Sequence, residues 1–298
     1  MISVIIPTRN RPELLLRLVN ILIKALNSQS EIIIVDSSDY GKSFPERYSD
    51  KRIRYHKTDI RSAAIQRNIG LELRSNLNYT FFLDDDVIPS EDYFVKSISA
   101  LVETKSIGVS GIAVNSQKSI SRSIPKGLSG LFHRIFLLDS NRDGVLLNSG
   151  INIPVRGKSP NRIKTEWLIG CSGWVSSIIG KTRFESDFQG QSLAEDVIFS
   201  VRMRKFGELV TDSSIQLEHE ESAIERPSGH EFWKMWVVNR FRLVEVLKRG
   251  RKINYQYWWA NIGQLVILIY KKTMKKDYTK GSISGFMVGL TVILRAKR

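Results

Sequence analysis

The chain has 298 residues, 42% hydrophobic and 25% charged, which fits one large domain with an appendage or two modest domains and excludes a globally disordered protein. Its single cysteine, Cys171, excludes an intrachain disulfide and suits a reducing, cytoplasmic setting. The formal net charge of +15 is concentrated: residues 226–298 carry 16 Lys and Arg against 3 Asp and Glu, whereas residues 1–225 carry 29 against 27.

The opening Met1-Ile2-Ser3-Val4-Ile5-Ile6 is too short and too lightly flanked for a signal peptide. It predicts a buried strand over 3–6, ended by Pro7. Leucine and isoleucine at helical spacing predict a helix over 13–25. A second apolar run, 31–35, stops at Asp36-Ser37-Ser38 and predicts another strand. Residues 52–55 predict a short strand and 62–73 a helix. The strand at 80–83 stops at Asp84-Asp85-Asp86, and a helix follows from 90 or 91 to about 103. Strands alternating with helices predict an α/β fold, a mostly parallel sheet flanked by helices. Ligands of such sheets bind beyond the carboxyl ends of the strands. Thr8-Arg9-Asn10, Asp36-Ser37 and the three aspartates fall at those ends.

Residues 115–164 are rich in Ser, Gly, Pro and basic residues and predict loops with a short helix near 128–137. They form either an acceptor-facing surface or ordinary surface loops. The apolar, Gly-containing stretch 167–179 follows. Residues 193–206 predict a helix ended by Gly207, and 209–217 a last strand. Over 231–252, Phe232, Trp233, Trp236, Val237, Phe241, Val244 and Leu247 recur among Lys and Arg, the pattern of a basic amphipathic helix. Trp258-Trp259, an apolar run over 262–270, Lys271-Lys272 and Lys275-Lys276 come next. The longest apolar stretches, 258–270 and 283–294, are about 12–13 residues, short of the ~20 that span a bilayer. Tryptophan with Lys and Arg suits anionic headgroups, so the tail is expected to rest on a membrane surface. The plainer expectation is a helical subdomain whose apolar face covers the catalytic core.

Few residues carry readable chemistry. Alternate residues of an extended segment share a face, so Asp84 and Asp86 point into one site. Carboxylates combined with substrate phosphates hold a hard divalent cation, although such a triplet also serves as a solvated turn. Glu195-Asp196 opens a helix, where carboxylates cap favourably. Beside a metal site, one of the two becomes a general base for a hydroxyl nucleophile. Asp36 is either a turn residue or an acceptor for a nucleobase or ribose. His219, in Glu218-His219-Glu220-Glu221, is either a metal ligand or a surface histidine. Cys171 reads as a small buried residue. The chain lacks a GxxxxGK loop, a Cys/His zinc spacing and a GxSxG elbow.

Taken together and in this order, these motifs resemble glycosyltransferase family 2, inverting enzymes of the GT-A fold. Ser3-Val4-Ile5-Ile6-Pro7-Thr8-Arg9-Asn10-Arg11 is similar to that family's first strand and nucleotide loop, and Glu31-Ile32-Ile33-Ile34-Val35-Asp36-Ser37-Ser38 to its second strand. Ala64-Ile65-Gln66-Arg67-Asn68-Ile69-Gly70 resembles its helix before the metal motif, Asp84-Asp85-Asp86 its DxD element, and Glu195-Asp196-Val197-Ile198-Phe199-Ser200-Val201-Arg202 its ED motif. The resemblance covers about residues 1–222. It implies a catalytic domain there, with a nucleotide-binding part at about 1–110 and an acceptor part at about 111–222, followed by a basic helical tail over 223–298.

By that resemblance the donor is bound by Pro7, Thr8, Arg9, Asn10, Asp36, Arg67, Asn68, Asp84 and Asp85. Asp36 lies at the base and Asp84 near the ribose. Asp86, with Asp84 and His219, binds Mn²⁺ or Mg²⁺. Asp196, beside Glu195, is the base. One departure is Asp36-Ser37-Ser38-Asp39, where many members have a second acidic residue or Asn directly after the pair; UDP is still favoured. The implied reaction moves a sugar from a nucleotide-diphosphate sugar to a hydroxyl of a saccharide or lipid-linked acceptor. It would serve cell-surface polysaccharide or glycolipid synthesis at the cytoplasmic face of the membrane, with no nucleic-acid partner. Two alternatives are weaker. Nucleic-acid binding is disfavoured by the near-neutral first 225 residues. A sugar nucleotidyltransferase is disfavoured because Thr8-Arg9-Asn10-Arg11-Pro12 lacks glycine. The intact acidic motifs argue against a non-catalytic relative.

Overall fold

The computed structural model describes residues 1–39, 50–114, 127–156, 162–186, 193–220, 228–247, 255–274 and 279–296. Parts of the expected 115–164 loops, the end of the 231–252 helix, Glu221 and Lys275-Lys276 lie outside the described residues. The described chain forms two compact units: Met1–Arg122 with Val155–Ser222, and Ser123–Pro154 with Ala223–Arg298.

In the first unit, β1 (Ile2–Thr8) is buried at all seven positions, as a strand covered on both faces must be. It pairs in parallel with β2 (Glu31–Asp36), Thr8 opposite Asp36, and with β4 (Tyr79–Phe82). β3 (Ile53–Lys57) extends the parallel half beside β2. Two helices, α1 (Pro12–Ala25) and α2 (Ala63–Leu73), supply the crossovers that parallel pairing requires. Pro12 starts α1, where a missing N–H costs nothing, and Ser62 caps α2 by accepting from Ile65 N.

Beyond β4 the sheet becomes mixed. β8 (Ser172–Val175) runs antiparallel to both β4 and β6 (Gly108–Val114). β9 (Leu209–His219) is parallel to β6 and carries β5 (Val87–Pro89) and β7 (Arg162–Thr165) antiparallel to itself. The helices of this half are α3 (Tyr93–Thr104), the short α5 (Ser176–Ile179) and α6 (Glu195–Met203). Glycine makes one close packing possible. A Cβ on Gly173 would sit 2.4 Å from the Phe81 ring, so that ring lies directly on the β8 backbone. Phe81 is fully buried, with Tyr93 and Phe94 edge-on to it at 6.1 and 5.0 Å. Such burial contributes ~2–3 kcal/mol and anchors the strand that ends at the three aspartates.

The second unit is helical: α4 (Gly127–Ile135), α7 (Gly229–Leu247), α8 (Tyr255–Thr273) and α9 (Ser282–Ala296). Val237, Val244, Tyr257, Leu268, Phe286 and Ile293 form its core. Gly285 lets α9 approach α7, since a Cβ there would lie 1.9 Å from His230 O. Trp233 and Trp236 of α7 pack on Phe286, so these two tryptophans are turned toward the helical core.

Candidate active site

The parallel strands β1, β2 and β4 end side by side, which gathers the polar residues that follow each of them. Asp84, Asp85 and Asp86 fill the gap between β4 and β5. Asp85 is buried: its Oδ2 accepts from Thr8 Oγ1 at 2.7 Å and its Oδ1 from Arg11 Nη1 at 3.0 Å. Burial pushes the Asp85 carboxyl up to about 6 against the pull of Arg11 and Thr8. Arg11 Nη1 also reaches Asp86 Oδ2 at 3.0 Å. Burial and the neighbouring Asp84 raise Asp86, while His219 and Arg11 counter them.

The β5–β9 pairing brings in a residue from far along the chain. Val87 lies opposite His219, and Glu220 N donates to Asp86 O at 2.8 Å. His219 Nε2 therefore stands 3.4 Å from Asp86 Oδ1. One ligand atom each from Asp84, Asp86 and His219 lie within 4.8 Å of one another. Two carboxylates and one imidazole at that spacing fit a single divalent cation with coordination positions left for substrate phosphates.

Arg67 links this group to the first turn of α6. Its Nη2 donates to Asp84 Oδ1 at 2.6 Å and its Nη1 to Glu195 Oε1. Burial opposes the charge on Arg67, but Glu195 and Asp84 outweigh it and hold the guanidinium above its ordinary pKa. Burial raises Glu195 despite Arg67, and Glu195 Oε2 is buried without a hydrogen bond. Asp196 is half-buried, and its Oδ1 accepts from Val197 N at 2.8 Å. Burial pushes it up to about 6, with Arg67 and the Val197 N–H pulling the other way. Ser200 steadies the turn, donating to Asp196 O at 2.7 Å and accepting from Leu168 N at 3.0 Å.

A second cluster lies at the ends of β1 and β2. Asp36 is fully buried; its Oδ1 accepts from Ser38 N at 2.6 Å and its Oδ2 from Tyr55 OH at 2.8 Å. Asn10 turns the chain with φ of 55°, a left-handed conformation that asparagine tolerates. Its side-chain amide exchanges two hydrogen bonds with Asp39, at 2.9 and 2.8 Å. Arg9 stands 3.7 Å from the same carboxylate. Gln66 staples the two strand ends, donating to Thr8 O at 2.8 Å and Val35 O at 2.6 Å.

The residues singled out in the sequence thus divide three ways. Thr8, Arg67, Asp84, Asp85, Asp86, Glu195, Asp196 and His219 converge on one network. Pro7, Arg9, Asn10 and Asp36 lie at the neighbouring strand ends. Asn68 faces elsewhere: its amide donates to Phe184 O at 2.9 Å and accepts from Phe184 N at 2.8 Å. Arg11, Tyr55, Gln66 and Ser200 had been assigned no role. Arg11, Gln66 and Ser200 sit inside the quoted motifs, which give their place but not their hydrogen-bond partners; Tyr55 carries no local signal.

Solved structures share the fold. A mannosyltransferase from Pyrobaculum calidifontis, PcManGT, in complex with GDP-Man and Mn²⁺, is 14% identical, with a TM-score of 0.57 over 99% of this chain and 86% of that one. GalNAc-T7 with UDP, GalNAc and Mn²⁺ is 12% identical, with a TM-score of 0.61 over 93% of this chain and 58% of that one. S. aureus TarS 1–349 in complex with UDP-GlcNAc is 15% identical, with a TM-score of 0.53 over 91% of this chain and 74% of that one. The profile described as glycosyl transferase family 2 matches residues 3–156, more than half of the chain, and the chain belongs to that family. No curated protein matches the chain.

Proposed function

We infer that the protein is a metal-dependent inverting glycosyltransferase that moves a sugar from a nucleotide-diphosphate sugar, UDP favoured, to a hydroxyl of a saccharide or lipid-linked acceptor. The observation that carries this reading is the Arg67 bridge. Buried itself, it ties the half-buried Asp84 of the candidate metal group to the buried Glu195, the neighbour of Asp196. Asp84 and the residue preceding the base are thereby held by the same side chain.

Asp86, Asp84 and His219 would hold Mn²⁺ or Mg²⁺, and the imidazole leans the set toward Mn²⁺. When bound, the metal neutralises charge on the departing diphosphate. Asp36 and the loop at Asn10 and Asp39 line the strand ends where the nucleoside would sit. Asp196 is the base: it takes the proton of the acceptor hydroxyl as that oxygen attacks the anomeric carbon from the face opposite the leaving group. A group raised to about 6 is ionised at neutral pH yet remains a useful proton acceptor. Glu195, held by Arg67, positions the helix start. The UDP and UDP-GlcNAc complexes of TarS support the lean toward a uridine donor.

The membrane setting belongs to the same reading. A chain with 16 Lys and Arg against 3 Asp and Glu over residues 226–298 is drawn to the anionic cytoplasmic face of a membrane, where lipid-linked acceptors for polysaccharide or glycolipid synthesis are presented.

Asp196→Asn keeps the shape and removes the proton acceptor. Transfer should fall by about 10²–10⁴ while Mn²⁺-dependent binding of UDP persists. Turnover at the wild-type rate in that variant would remove Asp196 from the mechanism.

A further inference from the structure

Helices α4, α8 and α9 contain no aspartate or glutamate. One side of α8, with Tyr257, Ala260, Asn261, Gly263 and Leu268, is buried. In a helix that only covers a core, the opposite side is polar. Here it is not. The six exposed positions between 255 and 270 are Tyr255, Trp259, Ile262, Val266, Ile269 and Tyr270, each between 42% and 73% exposed. Steps of three and four put them in a single stripe. Trp259 is fixed rather than free: its Nε1 donates to Ile135 O at 2.8 Å and its ring stacks on Phe136 with centroids 4.7 Å apart. That contact holds the end of α4 beside the stripe. α4 itself exposes Leu128, Leu131 and Ile135 at helical spacing, and α9 exposes Met287, Val288 and Val292. Lys271 and Lys272 close α8, and Arg295 closes α9.

Two occupants compete for such a face. A second copy would set +13 over residues 226–298 against the same charge, which opposes self-association. A bilayer with anionic headgroups takes up both the apolar side chains and the cations around them. No described helix is long and apolar enough to cross a membrane, so the stripe lies along the interface. We propose that α8, with α4 beside it, is a docking face for an anionic lipid bilayer, buried through Trp259, Ile262, Val266 and Ile269. This rests on the membrane setting inferred above and replaces α7 with α8 as the element that makes contact.

The full chain is sedimented with vesicles of phosphatidylcholine alone and of phosphatidylcholine with equal phosphatidylglycerol. It should bind the second kind, less at high salt. The triple variant Ile262→Glu, Val266→Glu, Ile269→Glu should bind at least about tenfold more weakly, with hydrolysis of the sugar nucleotide unchanged. A wild-type chain that stays in the supernatant defeats the membrane setting and the docking face together. A triple variant that binds like wild type leaves the setting and defeats the face. A lipid-free dimer split by the same substitutions assigns the stripe to a second copy instead. Should the triple variant fail to fold, quenching by brominated lipid decides: it should report on the folded chain and be largely lost in Trp259→Phe, and quenching unaffected by Trp259→Phe overturns the proposal.

Discussion

Arg67 in the catalytic unit and Arg240 in the helical unit are buried alike, 2% and 3% exposed, but their surroundings differ. Arg67 lies between Asp84 and Glu195, which hold its charge in place. Arg240 pairs with no carboxylate among the described residues. Its guanidinium lies 3.8 Å above the Trp236 ring and 4.8 Å from Tyr257, and Nη2 donates to Asn261 Oδ1. Its Nε and Nη1 are buried without hydrogen bonds, and burial lowers it to about 10 despite Tyr257. Aromatic faces attract a cation by ~0.5–2 kcal/mol, far less than desolvation removes. One arginine belongs to a charge network that needs it; the other is tolerated by its packing.

The largest effect expected from this contrast is at Arg67. Arg67→Met leaves the buried Glu195 facing the half-buried Asp84 with no cation between them, so urea unfolding should register a loss of about 3–5 kcal/mol and transfer should disappear. A variant as stable as wild type would show that the two carboxylates do not depend on the bridge. Next comes pH. Asp196 is raised to about 6, so it is charged above that value and protonated below it. The rate should therefore fall about tenfold per pH unit below 6 and level off above it, measured as kcat/KM at fixed Mn²⁺. A flat profile between pH 5 and 7 would contradict the assignment of the base. The smallest effect belongs to Arg240. Arg240→Met replaces an uncompensated cation by apolar volume, and stability should stay level or rise by about 1 kcal/mol in the same urea titration. A large loss there would mean that a carboxylate outside the described residues pairs with Arg240 and would erase the contrast.

The two units also differ in how far their sequence was legible. In the catalytic unit, apolar runs that stop abruptly at Asp36 and at Asp84-Asp85-Asp86 marked strand ends, and the fold places polar residues at such ends for ligands. The roles of Arg11 and Gln66 were not legible, because each depends on which strand lies beside which. The resemblance implies His219 beside Asp86, but the residues alone do not show it: β5 has three residues, too few for a period, and its pairing with β9 is set by tertiary packing. In the helical unit the tryptophans left two readings open. Periodicity over 231–252 fits either a membrane-facing or a core-covering apolar face, and Trp233 and Trp236 pack on Phe286. The exposed stripe falls on α8, read only as an apolar run, since a helix apolar all round gives no signal separating inside from outside.

The register that sets Val87 opposite His219 also bears on when the protein gains its chemistry. During synthesis the strand ends of β1, β2 and β4 emerge early, with the three aspartates. His219, the third residue of the candidate metal group, lies at the end of β9, the last strand among the described residues. A growing chain can collapse around β1 and present a nucleotide cleft long before it can grip a cation, because that contact spans a long loop and closes late. The candidate metal group is complete only once β9 has paired with β5 and set His219 beside Asp86.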